Sequence, residues 1–145
     1  MNEQDASPRH SVSVAAAIVN DAGQVLAIRR RDNGHWEPPG GVLELDETIE
    51  DGLRREVREE TGLEIEIERL TGVYKNMPRG IIALVFRCHV AGGEAAPTTE
   101  AEQVGWISPT LLAGHMSEAY AIRVSDALNH GTAAIRAHNG VELLY

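Results

Sequence analysis

Three glutamates, Glu56, Glu59 and Glu60, stand at i, i+3 and i+4 in a stretch of helical character, a spacing that gathers their carboxylates on one side of a helix within a single turn. Carboxylates so crowded repel one another. On a helical wheel the same side continues upstream through Ile49 and Leu53, whereas Glu50, Asp51, Arg54 and Arg58 occupy the outer face. The acids therefore prolong an apolar, core-facing stripe, where a solvated charge run would lie opposite it. Partly buried carboxylates cost several kcal/mol unless compensated, and hard divalent cations with oxygen ligands are the natural compensation. Arg55, four residues after Asp51 and four before Glu59, is placed to orient a carboxylate through a charge-assisted hydrogen bond. Glu47, at the helix entrance, can receive the same guanidinium or favour the positive end of the helix dipole. Gly40 and Gly41 allow backbone to approach the cluster closely, and equally allow a tight turn before the helix.

The elements that must hold these residues follow from periodicity and turn chemistry. Residues 11–19 open with alternation and pass into an apolar run, which predicts a strand entering the core. Asn20-Asp-Ala-Gly23 predicts a turn, and residues 24–30 a second strand paired with the first as a hairpin. The Gly- and Pro-rich residues 32–41 predict a loop. A helix is expected from Asp46 or Glu47 to Thr61, with Asp46 as its N-cap and Gly62 ending it. Residues 63–70 alternate apolar with charged side chains, as a half-buried strand does, and continue toward Val73 and Tyr74. The near-continuous apolar run 81–90 predicts a central strand covered on both faces. Residues 91–102 read as a mobile loop carrying Glu94, Glu100 and Glu102, followed by a short strand at 103–107. Ser108-Pro109 starts a helical turn, and residues 117–129 a second helix with Ala121, Val124 and Leu128 on one face. Asn139-Gly140 signals a hairpin between 133–138 and 141–145, although the first segment alternatively prolongs a helix.

Composition bounds the function. The 145 residues predict a flexible N-terminal segment at 1–9 and a single domain at 10–145. Twenty-two acidic residues against 13 Lys and Arg give a formal charge of −9, a field that repels nucleic acid. A small phosphorylated substrate is compatible with that field if bound divalent cations neutralise it locally. Cys88 is the only cysteine, which rules out an intrachain disulfide, is expected to be a buried, inert thiol and suits a cytoplasmic location. Neither a signal-peptide core nor a run of roughly 20 apolar residues is present, so no membrane association is expected.

Gly41, five residues, Glu47, seven residues and then Arg55-Glu56-Val57-Arg58-Glu59-Glu60-Thr61-Gly62-Leu63 resembles the complete Nudix box. Weaker similarity extends to Trp36-Glu-Pro-Pro-Gly-Gly41, where Pro38 replaces a commonly apolar residue and Leu45-Asp46-Glu47 replaces a frequent Gly-Glu pair. The resemblance implies an α/β/α sandwich around a mixed β-sheet. It also implies Mg²⁺- or Mn²⁺-dependent hydrolysis of a pyrophosphate bond in a nucleoside triphosphate or a nucleotide sugar such as ADP-ribose. Glu56, Glu59, Glu60 and the Gly41 carbonyl would bind the metal, water would attack phosphorus, and Glu59 or, less directly, Glu100 would take the proton. Glu100, six residues before Trp106, resembles an additional metal ligand of some relatives, with Glu102 as its competitor. Arg30 resembles a phosphate-contacting position, Trp36 and Tyr120 are candidates to stack on a base, and Pro78 faintly resembles a proline of ADP-ribose-cleaving relatives. Gly40 and Gly41 are candidate substrate contacts, and a homodimer is left open. The rival reading is a non-catalytic nucleotide-binding regulatory module with the same fold, which would have no chemical need for the repelling glutamates. An acidic Ca²⁺-binding helix pair ranks last, since its alternating Asp/Asn loop is missing.

Overall fold

Strand β1 (Ser11–Ile18) sets the layering, because its alternate residues serve opposite faces of one sheet. Val14, Ala16 and Ile18 pack with Leu53 and Val57 of helix α1 (Ile49–Thr61). Ala15 and Ala17 point the other way, toward Ala127 and Ile122 of helix α3 (Glu118–Leu128), which follows the short helix α2 (Leu112–His115). Small side chains on this strand let both helices approach. The computed structural model describes residues 7–145, so the first six residues of the segment expected to be flexible lie outside the described residues.

The remaining strands are β2 (Val25–Arg30), β3 (Trp36–Glu37), β4 (Gly40–Val42), β5 (Leu63–Asn76), β6 (Ile81–Gly93), β7 (Ala101–Ile107) and β8 (Ala134–His138). A five-stranded mixed sheet has the order β4-β1-β6-β5-β8, with β1 parallel to β6 and β8 parallel to β5. The apolar strand β6 sits at its centre, as expected of a strand buried on both faces. A second, three-stranded sheet has the order β3-β2-β7. Together with helices on both faces of the larger sheet, this is the expected α/β/α arrangement. Among the described residues no helix is long and apolar enough to cross a membrane.

Several local expectations are corrected. β1 and β2 do not form a ladder: after one bridge, Val19 to Val25, they diverge into different sheets, and the Asn20 side chain closes the turn by accepting from Gln24 N at 2.8 Å. The segment 32–41 holds β3 and β4, because each edge strand needs only two or three residues outside the prolines. Helix α1 starts at Ile49 and its N-cap is Thr48, whose Oγ1 accepts from Asp51 N at 3.1 Å, in place of the expected Asp46. Gly62 ends α1 as expected, with φ of 80°. The tail after β8 turns at Gly140 and returns, but makes only one bridge, His138 to Leu143. Cys88 is fully buried, and burial pushes its thiol up to about 12, in keeping with an inert side chain.

Candidate active site

α1 presents Leu53, Glu56, Val57 and Glu60 to the interior and leaves Glu59 half-exposed at the margin, while Ile49 points outward. The acidic stripe of the wheel is therefore real for Glu56 and Glu60, which are 9% and 2% exposed. Burial raises the pKa of both, that of Glu60 to about 8, with the charges of Glu56 and Glu100 adding to the effect. Glu60 Oε1 accepts the Gly40 N–H at 2.7 Å, which holds its carboxylate against β4 but does not offset the desolvation.

The paired glycines make this approach possible. β4 lies antiparallel to β1 with Val14 opposite Gly41 and Ala15 opposite Gly40. A Cβ on Gly40 would strike the Val14 carbonyl and Ala15, and one on Gly41 would lie 2.6 Å from Glu56 Oε2. A side chain at Gly40 would collide with backbone, whereas one at Gly41 would push the Glu56 carboxylate out of place.

Arg55 organises the entrance. Its Nε and Nη2 donate to the two oxygens of Glu47 at 2.9 and 2.6 Å, while Nη1 donates to Glu56 at 2.9 Å and to Glu59 at 3.3 Å. Those bonds hold Glu47 down at about 2. Its capacity thus goes mostly to a carboxylate at the end of the site, and the ionised forms of the buried pair at the centre are only partly compensated.

Glu100 arrives from the other sheet. β2 and β7 pair with a register shift at Arg29 and Arg30, where Arg30 faces Ala101. Arg31 then ties down the preceding loop, its backbone N–H donating to Glu100 O at 3.1 Å and its side chain to Thr98 O and Thr99 O. The Thr98 hydroxyl donates to Glu60 O at 3.3 Å and accepts the N–H groups of Glu100 and Ala101. One carboxylate oxygen each from Glu56, Glu59 and Glu100 lies within 4.8 Å of the others. Glu102 instead pairs with Arg29 at 3.2 Å. An all-oxygen donor set, part of it buried without full compensation, fits a hard divalent cation.

Glu56, Glu60 and Glu100 border a cavity lined also by Arg30, Gly40 and Gly41. Arg30 sits at its rim, donating to Asp32 at 2.8 Å and to Glu37 at 3.1 Å. A second cavity shares Arg30, Gly40 and Gly41 with the first and extends past Tyr120 to Arg123 and His138. Trp36 is not brought to either: it faces a separate hollow with its ring edge-on to His115 at 6.1 Å. Glu37, Arg123 and His138 escape sequence reasoning, because each looks like an isolated polar residue until the chain folds. The one signal was a charged residue, Arg123, lying on the helix side of Ala119 and Ala127, both of which are fully buried.

The model of the NUDIX domain matches residues 9–126. A MutT-like protein of Streptomyces ambofaciens is 53% identical over 142 residues, covering 98% of this chain and 92% of that protein. An ADP-ribose pyrophosphatase of Methanocaldococcus jannaschii is 36% identical over 65% of this chain, a match that spans 60% of that protein. Among solved structures, an ADP-ribose pyrophosphatase of Streptococcus suis 89-1591 superposes with a TM-score of 0.72 at 25% identity, covering 90% of this chain and all of that one.

Proposed function

The chain belongs to the Nudix hydrolase family, and from that premise we propose that it cleaves a pyrophosphate bond in a small nucleotide with Mg²⁺ or Mn²⁺ as cofactor. The substrate is a nucleoside diphosphate carrying a further group, either a third phosphate or the second half of a nucleotide sugar such as ADP-ribose. One observation carries the reading. Glu56 and Glu59 from α1 converge with Glu100 from a distant loop on one point, beside a buried Glu60 whose carboxyl burial pushes up to about 8 and which pairs with no cationic side chain among the described residues.

Glu56, Glu59, Glu60 and Glu100, with the Gly41 carbonyl, are the proposed metal-holding groups. A divalent cation bound there supplies charge neutralisation at the phosphates and a more acidic water. Arg55 keeps Glu56 and Glu59 in place, and Gly40 does the same for Glu60 through its N–H. Arg30 is the proposed phosphate contact, since its guanidinium lines both cavities and its present partners include the exposed Asp32. Glu59 is the proposed base: it is the half-exposed acid of the group, able to pass a proton to solvent. Glu100 is the alternative at the same point.

A panel of nucleoside triphosphates and nucleotide sugars incubated with Mg²⁺, with products resolved by phosphorus NMR, tests the reading. Release of a nucleoside monophosphate or of pyrophosphate that stops with EDTA is the expected result. Turnover of no panel member, or turnover indifferent to EDTA, would sink it.

A further inference from the structure

The second cavity, of about 210 Å³, shares Arg30, Gly40 and Gly41 with the first and is lined also by Glu37, Arg123 and His138. It has room for roughly seven waters at about 30 Å³ each. Arg123 is only 8% exposed and feels the charge of Glu37, yet Glu37 is held by Arg30, Arg123 enters no ion pair among the described residues, and its Nε has no hydrogen-bond partner. The faces of Tyr74 and Tyr120, at 5.3 and 4.7 Å, support the charge but accept none of its N–H groups in their planes. Buried arginines ordinarily face a carboxylate or carbonyl.

The polar neighbour of Arg123 Nη2 is His138 Nε2, at 3.4 Å. That contact sets donor against donor. His138 Nδ1 accepts the Gly140 N–H at 2.9 Å and so carries no proton, which places the ring proton on Nε2. Burial and the Arg123 charge both keep the imidazole neutral. Two N–H groups this close call for acceptors from outside the chain, and the cavity that both residues line is where these can lie.

We infer that Arg123 and His138 are the specificity-determining pair of this site, reading a substrate edge that offers two adjacent hydrogen-bond acceptors and no donor. The inference rests on the proposed function only in taking this cavity to hold the nucleobase of the substrate. Among nucleobases, a 6-oxopurine presents O6 and N7 side by side, the pair an arginine fork grips, whereas adenine sets its N6 donor beside N7. An N6 amine against Arg123 and His138 would add a third donor where an acceptor is needed. The pair thus selects 6-oxopurine nucleotides over the adenine of an ADP-ribose.

Isothermal titration of the whole chain with guanosine, inosine and adenosine 5′-monophosphates in Mg²⁺ reads the preference without turnover. We expect inosine and guanosine monophosphates to bind at least about tenfold tighter than the adenosine compound. Arg123→Met and His138→Phe should bring the ratio within about twofold. Arg123→Lys keeps the charge without the fork and should also lose the ratio, which serves if the other variants fail to fold. Equal affinity for the three compounds, no binding of any of them, or a ratio intact in the folded variants overturns the inference. Failure of the proposed function would show separately, as absent phosphate release while the binding preference stands.

Discussion

Glu60→Gln isolates the energetic cost of the acidic cluster. In metal-free protein the Glu60 carboxyl is raised from 4.5 to about 8, chiefly by burial. Between those values the unfolded chain has lost the proton and the folded chain keeps it, so stability falls as pH rises through that window and is greatest below it. At about 1.4 kcal/mol per tenfold change in proton affinity, the full interval comes to about 5 kcal/mol. Relaxation of the loop around Glu100 reduces this, and we expect about 2 to 5 kcal/mol. The glutamine keeps an oxygen for the Gly40 N–H and never ionises, so its stability lacks this component. Glu56 remains in both proteins and its titration cancels to first order. The assay is urea denaturation of both proteins in EDTA at several pH values from 5 to 8. Wild type should lose stability relative to Glu60→Gln as pH rises, and Mg²⁺ should restore wild type more than the variant. A difference that stays flat with pH would refute the claim that a buried, uncompensated carboxyl occupies this position.

Glu59→Gln changes a half-exposed side chain, so melting temperature should hold while turnover falls about a hundredfold or more; near-normal activity would remove Glu59 as ligand or base. Gly41→Ala places a methyl 2.6 Å from Glu56 Oε2, and a Mg²⁺ titration of activity should show a much higher half-maximal concentration in a protein that still folds. Thr98→Val removes the hydroxyl that joins the Glu100 loop to Glu60 O; kcat should fall with little change in thermal stability, and an unaltered kcat would argue that Glu100 needs no such tether. Gly62→Ala forces a side chain to φ of 80° at the end of α1, which should cost about 1 to 2 kcal/mol in denaturant unfolding without altering the metal response.

Periodicity along α1 was enough to place Glu56 and Glu60 on the buried side, because a helix converts spacing into direction without help from the rest of the chain. The central position of β6 and the cap at Gly62 were legible for the same local reason: an unbroken apolar run, and a residue tolerant of positive φ. Arrangements set by long-range pairing were not. β1 and β2 look like a hairpin in sequence, yet β1 joins the larger sheet and β2 turns away to pair with β7, since each gains more contact from a distant strand than from its neighbour. That divergence carries Glu100 to Glu56, a meeting that resemblance to relatives suggested but that no periodicity in the chain announces. The same holds for Arg123 and His138, ordinary residues on a helix and an edge strand until α3 crosses the sheet and buries them face to face. Residue spacing within one helix determined which acids turn toward the interior; packing between elements remote in sequence decided which side chains line the cavities beside them.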